Sequence, residues 1–173
     1  MHVVIDGYNL MAVIRPLGTD LYSDVAREAL LRQLAGYRHK KGHALTVVFD
    51  GWQRGQSIEN REHRAGVHVI YSKRGERADQ VIQRLAREYG VQCAVVSSDH
   101  EIVNSVQAHG ALAISARAFS DKLYRQDSSK TSVPYKELDT GEDQAGRRGP
   151  EKKGNPRKLP KSLRRRSRQL KGF

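Results

Sequence analysis

The sequence predicts an α/β fold: a three-layer sandwich with helices on both faces of a mostly parallel, five-stranded sheet, followed by a basic C-terminal tail. Three observations predict it. Short apolar runs rich in β-branched residues alternate with amphipathic helical stretches. The runs are apolar throughout rather than alternating, as expected of strands buried on both faces. The pattern then fades from about Gln126, where the composition changes.

The elements follow in order. His2–Ile5 is a short apolar run ending at Asp6-Gly7 and reads as a buried strand. Asp24–Lys41 reads as a helix, because Ala26, Leu30, Leu34 and Tyr37 recur at three- and four-residue steps, and Gly42 closes it. Leu45–Phe49 is a second strand, ending at Asp50-Gly51. Residues 53–66 are polar and carry no clear period. Val67–Tyr71 reads as a third strand, and Ala78–Tyr89 as a helix with Val81, Ile82, Leu85 and Ala86 on one face and Gly90 at its end. Cys93–Val96 is a fourth strand running into Ser97-Ser98-Asp99. His100–His109 is a helix stopped by Gly110, Ala111–Ile114 a fifth strand, and a last short helix runs from about Ala116 to Tyr124.

Charge divides the chain. Residues 146–173 hold 12 Lys and Arg against one acid, Glu151, whereas residues 1–145 hold 19 against 18. The organisation expected is a domain over 1–126, a linker over 127–158 rich in Ser, Thr, Gly, Pro and charge, and a tail over 159–173 that forms a helix on binding. Such a tail seeks polyanions, nucleic acid foremost. It lacks the bulky apolar face that membrane insertion needs. A merely solubilising tail is the plainer reading. One cysteine, Cys93, excludes an internal disulfide and fits a reducing compartment. No signal sequence and no membrane-length apolar run are visible.

Aspartates mark the strand ends: Asp6, Asp50 and Asp99 follow the first, second and fourth strands, and Asp79 lies in the first turn of a helix with Glu76 just ahead. In a parallel sheet these carboxylates gather at the edge where ligands bind. Each has an ordinary explanation alone. Asp6 and Asp50 precede glycine and suit turns. Asp79 suits a helix N-terminus, and Asp99 suits an N-cap. Together they are costly, since two carboxylates ~5 Å apart repel by roughly 3 kcal/mol at an effective dielectric of ~20. A hard divalent cation, Mg²⁺ or Mn²⁺, is the natural partner of clustered oxygen ligands, and such a site can cleave a phosphodiester.

Four segments carry a resemblance. Val4-Ile5-Asp6-Gly7-Tyr8-Asn9, Val47-Val48-Phe49-Asp50-Gly51, Ala78-Asp79-Gln80-Val81-Ile82 and Val96-Ser97-Ser98-Asp99 occur in this order. Together they resemble the YacP-like NYN branch of the PIN-like nucleases over roughly residues 1–125. The tail stretch Lys153-Gly154-Asn155-Pro156-Arg157-Lys158-Leu159-Pro160 is similar to what often follows in that group. The resemblance implies a PIN-like sheet with the first strand central, between the second and fourth. It implies a bacterial cytoplasmic endoribonuclease using Mg²⁺ or Mn²⁺. It carries the metal-binding acids over to Asp6, Asp79 and Asp99, with Asp50 added, and matches Asn9 and Ser98 to polar residues that contact water or RNA phosphate. One group in the family cuts messenger RNA in a ribosome-dependent way, which puts messenger RNA and the ribosome among the implied partners. This chain departs from the pattern at Gln83, where relatives often carry Glu; Glu76 is the nearest substitute.

The RNA-binding residues expected beyond the carboxylates are Ser98, Lys73 and Arg74 in the domain, and Arg157, Lys158, Arg164, Arg165, Arg166 and Arg168 in the tail. Arg15 and Arg54 are further candidates to line a phosphate path, and Trp52 to stack on a base. His100 adjoins Asp99 but reads more simply as an exposed helix-start residue. The seven histidines lack structural-zinc spacing, and no phosphate-binding glycine loop is present. A haloacid-dehalogenase-type phosphatase is disfavoured, because Tyr8 stands two residues after Asp6 where that chemistry needs a second Asp. The competing reading is a non-catalytic RNA- or ribosome-binding protein on the same scaffold. Charge alone does not separate RNA from DNA.

Overall fold

The computed structural model describes residues 1–15, 20–51 and 57–128, with side chains to residue 124. The chain divides into two units, Met1–Lys130 and Thr131–Phe173, and the described residues lie in the first. The elements are β1 (His2–Asp6), α1 (Gly7–Ile14), α2 (Asp24–Lys41), β2 (Ala44–Phe49), β3 (Asn60–Arg64), β4 (Val67–Tyr71), α3 (Ala78–Tyr89), a 3₁₀ turn at Gly90–Gln92, β5 (Cys93–Val96), α4 (His100–Ala108), β6 (Leu112–Ile114) and α5 (Ala116–Ser128).

The sheet has six strands in the order β3-β4-β2-β1-β5-β6, one more than the five expected. All pairs are parallel except β3 with β4. Central β1 pairs with β2 and β5, so Asp6 stands opposite Val48 in register and one residue beyond the Ile5–Val96 pair.

The added strand lies in the polar stretch without a period. Asn60–Arg64 contains no apolar residue, and its residues are exposed or half-buried. It is an edge strand held by backbone pairing, with charge on its surface. A two-residue turn, Ala65-Gly66, joins it to β4 with φ of 51° and 81°. Two positive φ values suit a type I′ hairpin, for which Asn-Gly is the usual sequence signal.

Helix α1 is the second departure, because the run Asp6-Gly7 reads as a turn. Asp6 instead caps a helix, its Oδ1 accepting the Asn9 N–H at 3.1 Å, and Gly7 is the first helical residue. Helix α5 also runs to Ser128 rather than Tyr124. Helix α2 matches its expected bounds. Ser23 caps its start through the Ala26 N–H, four basic residues fill its last turn, and Gly42 ends it at φ 70°.

The layers follow from strand alternation. Val4, Val48, Ile70 and Val95 pack against Val81, Ile82 and Leu85 of α3 and Ile102 and Val106 of α4. The other face is covered by α1, α2 and α5, with Tyr37 of α2 set edge-on against Phe119 of α5 at 5.1 Å. Burying one such aliphatic side chain contributes roughly 1.5–3 kcal/mol. The rigid result is a sheet whose parallel strands all bring their carboxyl ends to one edge. Among the described residues, no helix is long and apolar enough to cross a membrane.

Candidate active site

Each aspartate reaches that edge by a different local device. Asp6 ends β1, is 9% exposed, and is held from both sides. Its Oδ1 caps α1, and its Oδ2 accepts the Ser97 hydroxyl at 3.2 Å. The same Ser97 oxygen accepts the Asp99 N–H at 3.1 Å, so one buried serine ties two strand-end acids together. Asp99 caps α4, accepting the Glu101 N–H at 2.7 Å. Asp50 does more than turn the chain: its Oδ1 accepts the Ala78 N–H at 2.7 Å, capping α3 from another strand. That contact sets Asp50 beside the turn that carries Asp79. Asp79 pairs with Arg77 at 2.5 Å, and the Arg77 side chain is 73% exposed.

Two glycines permit this spacing. A Cβ on Gly7 would stand 2.3 Å from the Phe49 ring. A Cβ on Gly51 would stand 1.9 Å from the Ser72 carbonyl oxygen, while the Gly51 N–H donates to the Ser72 hydroxyl at 3.0 Å. Only glycine fits either approach.

The electrostatics are those of a site short of positive charge. Burial pushes the Asp6 carboxyl up to about 6; the Asn9 N–H and Ser97 hydroxyl oppose this, and Asp79 and Asp50 add to it. The Asp79 carboxyl is also raised, first by burial, with Arg77 opposing and Asp99, Asp50 and Glu101 adding. Asp6 and Asp79 therefore each feel neighbouring acids, Asp6 through Asp79 and Asp50, and Asp79 through Asp99, Asp50 and Glu101. Among the described residues no three His, Cys, Asp or Glu side chains form a ready metal cage. The donor set still fits Mg²⁺ or Mn²⁺. It is all oxygen, and Mg²⁺ commonly takes one or two carboxylates and keeps several waters.

The YacP-like NYN domain matches residues 3–164. The chain belongs to the YacP-like NYN domain family. This is a nuclease-like family with a PIN-like fold. YacP of Bacillus subtilis (strain 168) is 30% identical over 121 residues, covering 66% of this chain and 70% of its own. The crystal structure of Rae1 (YacP) from Bacillus subtilis aligns with a TM-score of 0.58 at 28% identity, covering 75% of this chain and 79% of that one. A tryptophan-to-leucine mutant of that protein aligns with the same TM-score and identity, over 78% of this chain and 86% of its own.

Other residues of this NYN domain fall into place around the edge. Asn9 bridges β1 and β5: its N–H reaches Asp6 and its Oδ1 accepts the Ser98 N–H at 3.0 Å. The Ser98 hydroxyl is turned to the start of α5, accepting the Ala116 N–H at 3.1 Å. Lys73 and Arg74 are exposed in the turn after β4, at the carboxyl end of that strand. His100 is exposed at the start of α4. Arg15 donates to the Ala26 carbonyl at 3.1 Å. Glu76 is turned toward Arg84, 2.8 Å away. Trp52, Arg54, Arg157, Lys158, Arg164, Arg165, Arg166 and Arg168 lie outside the described residues.

Three site residues were not singled out in the sequence. Ser97 stands next to Ser98 in the same motif, and only the burial of position 97 at a strand end distinguishes it. Glu101 was legible as an acid in the first turn of α4. Arg27 gave no signal at all. It is buried on α2 and donates to the Tyr8 hydroxyl at 3.1 Å and to the Tyr22 carbonyl, fixing the ring next to Asp6-Gly7.

Proposed function

We propose that this protein is a metal-dependent endoribonuclease. The observation that carries the reading is that burial, and after it neighbouring acids with Asp50 and Asp99 among them, raises the Asp6 and Asp79 carboxyls at one sheet edge, with Arg77 opposing at Asp79. A binding module gains nothing from retaining carboxylates that repel one another. The four aspartates would hold Mg²⁺ or Mn²⁺. Bound there, the cation would supply positive charge to a phosphodiester and lower the pKa of water for attack.

The chain's own residues have separate tasks. Ser97 orients Asp6 and Asp99 through one hydroxyl. Asn9 holds the Ser98 backbone close to Asp6. The N-termini of α3 and α4 lie at this edge, capped by Asp50 and Asp99, and their dipoles favour negative charge near the acids. Lys73, Arg74 and the tail arginines Arg157, Arg164, Arg165, Arg166 and Arg168, with Lys158, grip the strand through its phosphates. The family membership and the basic tail together favour messenger RNA as substrate and the ribosome as its setting.

The test is cleavage of free RNA and of ribosome-engaged messenger RNA with Mn²⁺ or Mg²⁺, wild type beside Asp79→Asn. Cutting by wild type alone is expected. Undiminished cutting by Asp79→Asn refutes the assignment. No cutting of either substrate, with RNA still bound, favours the non-catalytic RNA-binding reading.

A further inference from the structure

We propose that the groove between α2 and α5 is a second RNA contact, which grips a backbone phosphate far from the carboxylate edge. The proposal rests on the RNA reading above and adds a surface to it. The groove has a volume of about 260 Å³ and is lined by Arg32, Gly36, Tyr37, Lys40 and Tyr124, among others. Among the described residues, no carboxylate lines it. From Ala29 to Lys41, α2 carries Arg32, Arg38, Lys40 and Lys41 and no acid.

Its position is separate from the active site. Helix α2 leads into β2, whose Ala44 pairs with His2, at the opposite end of β1 from Asp6. Lys40 therefore stands near the foot of a helix about 27 Å long.

Tyr37 is the feature that calls for a ligand. It is 3% exposed, and among the described residues its hydroxyl has no hydrogen-bond partner. A buried hydroxyl left unpaired costs about 1–3 kcal/mol. Burial pushes its phenol up to about 12, so it remains a donor at neutral pH. A phosphate oxygen at the groove would accept from that hydroxyl and from a guanidinium or ammonium together. Gly36 lines the groove, and beyond its chain neighbours and its own helix backbone no atom of the described residues lies within 4 Å of an added Cβ there. Nearby on α5, burial lowers the Lys122 ammonium, and Lys41 adds to this.

RNA suits the groove better than an acidic polypeptide. Tyr124 is 44% exposed and offers a ring for base stacking. It also lines a neighbouring cavity of about 220 Å³ with Arg15 and Gln33, which extends the basic track toward α1.

The test uses the full chain in EDTA with a fluorescein-labelled single-stranded RNA, so that cleavage plays no part. The double variant Arg32→Gln/Lys40→Gln should reduce the salt dependence of binding by about 1.4 in log–log slope, or ~0.7 per lost contact. Tyr37→Phe should weaken binding about tenfold while leaving the unfolding midpoint unchanged or higher, since no native hydrogen bond is lost. Hydrogen exchange should show RNA protecting amides of residues 32–40 and 123–124. Wild-type affinity and slope in all variants, without that protection, overturn the proposal. So does equal protection by polyglutamate of matched charge, which would make the groove a site for acidic protein. RNA that binds without protecting the groove sinks this inference alone; absence of any RNA binding sinks the nuclease reading too.

Discussion

Two acidic regions of this domain are built in opposite ways. Around the β3 edge, each acid has an arginine. Glu59 faces Arg61 at 2.7 Å and also Arg84, Glu62 faces Arg64 at 2.7 Å, Glu28 faces Arg64, and Glu76 faces Arg84 at 2.8 Å. At the carboxyl edge of the parallel strands, Asp79 and Asp50 bear on Asp6, and Asp99, Asp50 and Glu101 bear on Asp79, where Arg77 opposes them. The titrations diverge accordingly. Burial raises Glu59, yet Arg61 and Arg84 outweigh it and hold the carboxyl below its ordinary value. Burial raises Asp6 as well, and its acidic neighbours add to the rise, to about 6. The chain has arginines to spare for its acids and spends them at β3. The charge deficit at the strand ends is therefore a property of the site and not of the composition.

The contrast can be broken at several points. The largest effect is expected from Asp79→Asn, which should cut metal-dependent RNA cleavage roughly 100- to 1,000-fold while leaving the thermal midpoint within a few degrees. Single-turnover cleavage and thermal unfolding check it together.

Next comes the pH dependence of the metal-free protein. Below pH ~4 Asp6 is protonated in both folded and unfolded chains, and its share of stability is fully present. As the pH rises through about 6 the folded state must release a proton against burial and neighbouring acids, and that stability is lost. The total is on the order of 3 kcal/mol by linkage. Asp6→Asn should flatten this slope in urea titrations at pH 4, 5, 6 and 7 with EDTA, and Mn²⁺ should restore stability to wild type at pH 7. An unchanged slope in Asp6→Asn would mean another group carries it.

Asp50→Ala should cost about 1 kcal/mol through loss of the α3 cap, whereas Asp50→Asn keeps an acceptor oxygen and should cost less. Urea unfolding of the two variants side by side distinguishes cap from charge. The smallest effect belongs to the β3 side. Glu59→Gln should cost only about 0.5–1 kcal/mol and leave cleavage unchanged, because a surface pair is worth little and does not touch the site.

Most of the sheet and the long helices were legible because burial leaves a period in sequence: the apolar strands and the faces of α2, α3 and α4. Two elements were not. β3 is Asn60-Arg61-Glu62-His63-Arg64, an edge strand whose pairing is made by backbone, and its turn uses Ala65 at positive φ rather than asparagine. α1 begins at Asp6-Gly7, a pair that is equally good as a turn, and only the Asn9 N–H reaching back to Asp6 decides it. The strand-end aspartates were legible because the topology of a parallel sheet brings such ends together. What holds them was not. Ser97 acts through two partners, one of them 91 positions away in sequence, and Asp50 caps a helix 28 positions on. No local pattern encodes a contact of that reach.

The Gly7–Phe49 contact has a consequence of its own. Gly7 follows one metal-ligand candidate in sequence, and Phe49 precedes another. Their closeness couples the backbone just after Asp6 to the side chain just before Asp50. The ring has little room to yield, since Tyr8 lies edge-on to it at 5.1 Å and Tyr71 stacks on it at 5.7 Å. A single methyl at position 7 would thus be transmitted as a change in carboxylate separation. Gly7 thereby bears on the spacing of the strand-end carboxylates without offering an atom of its own.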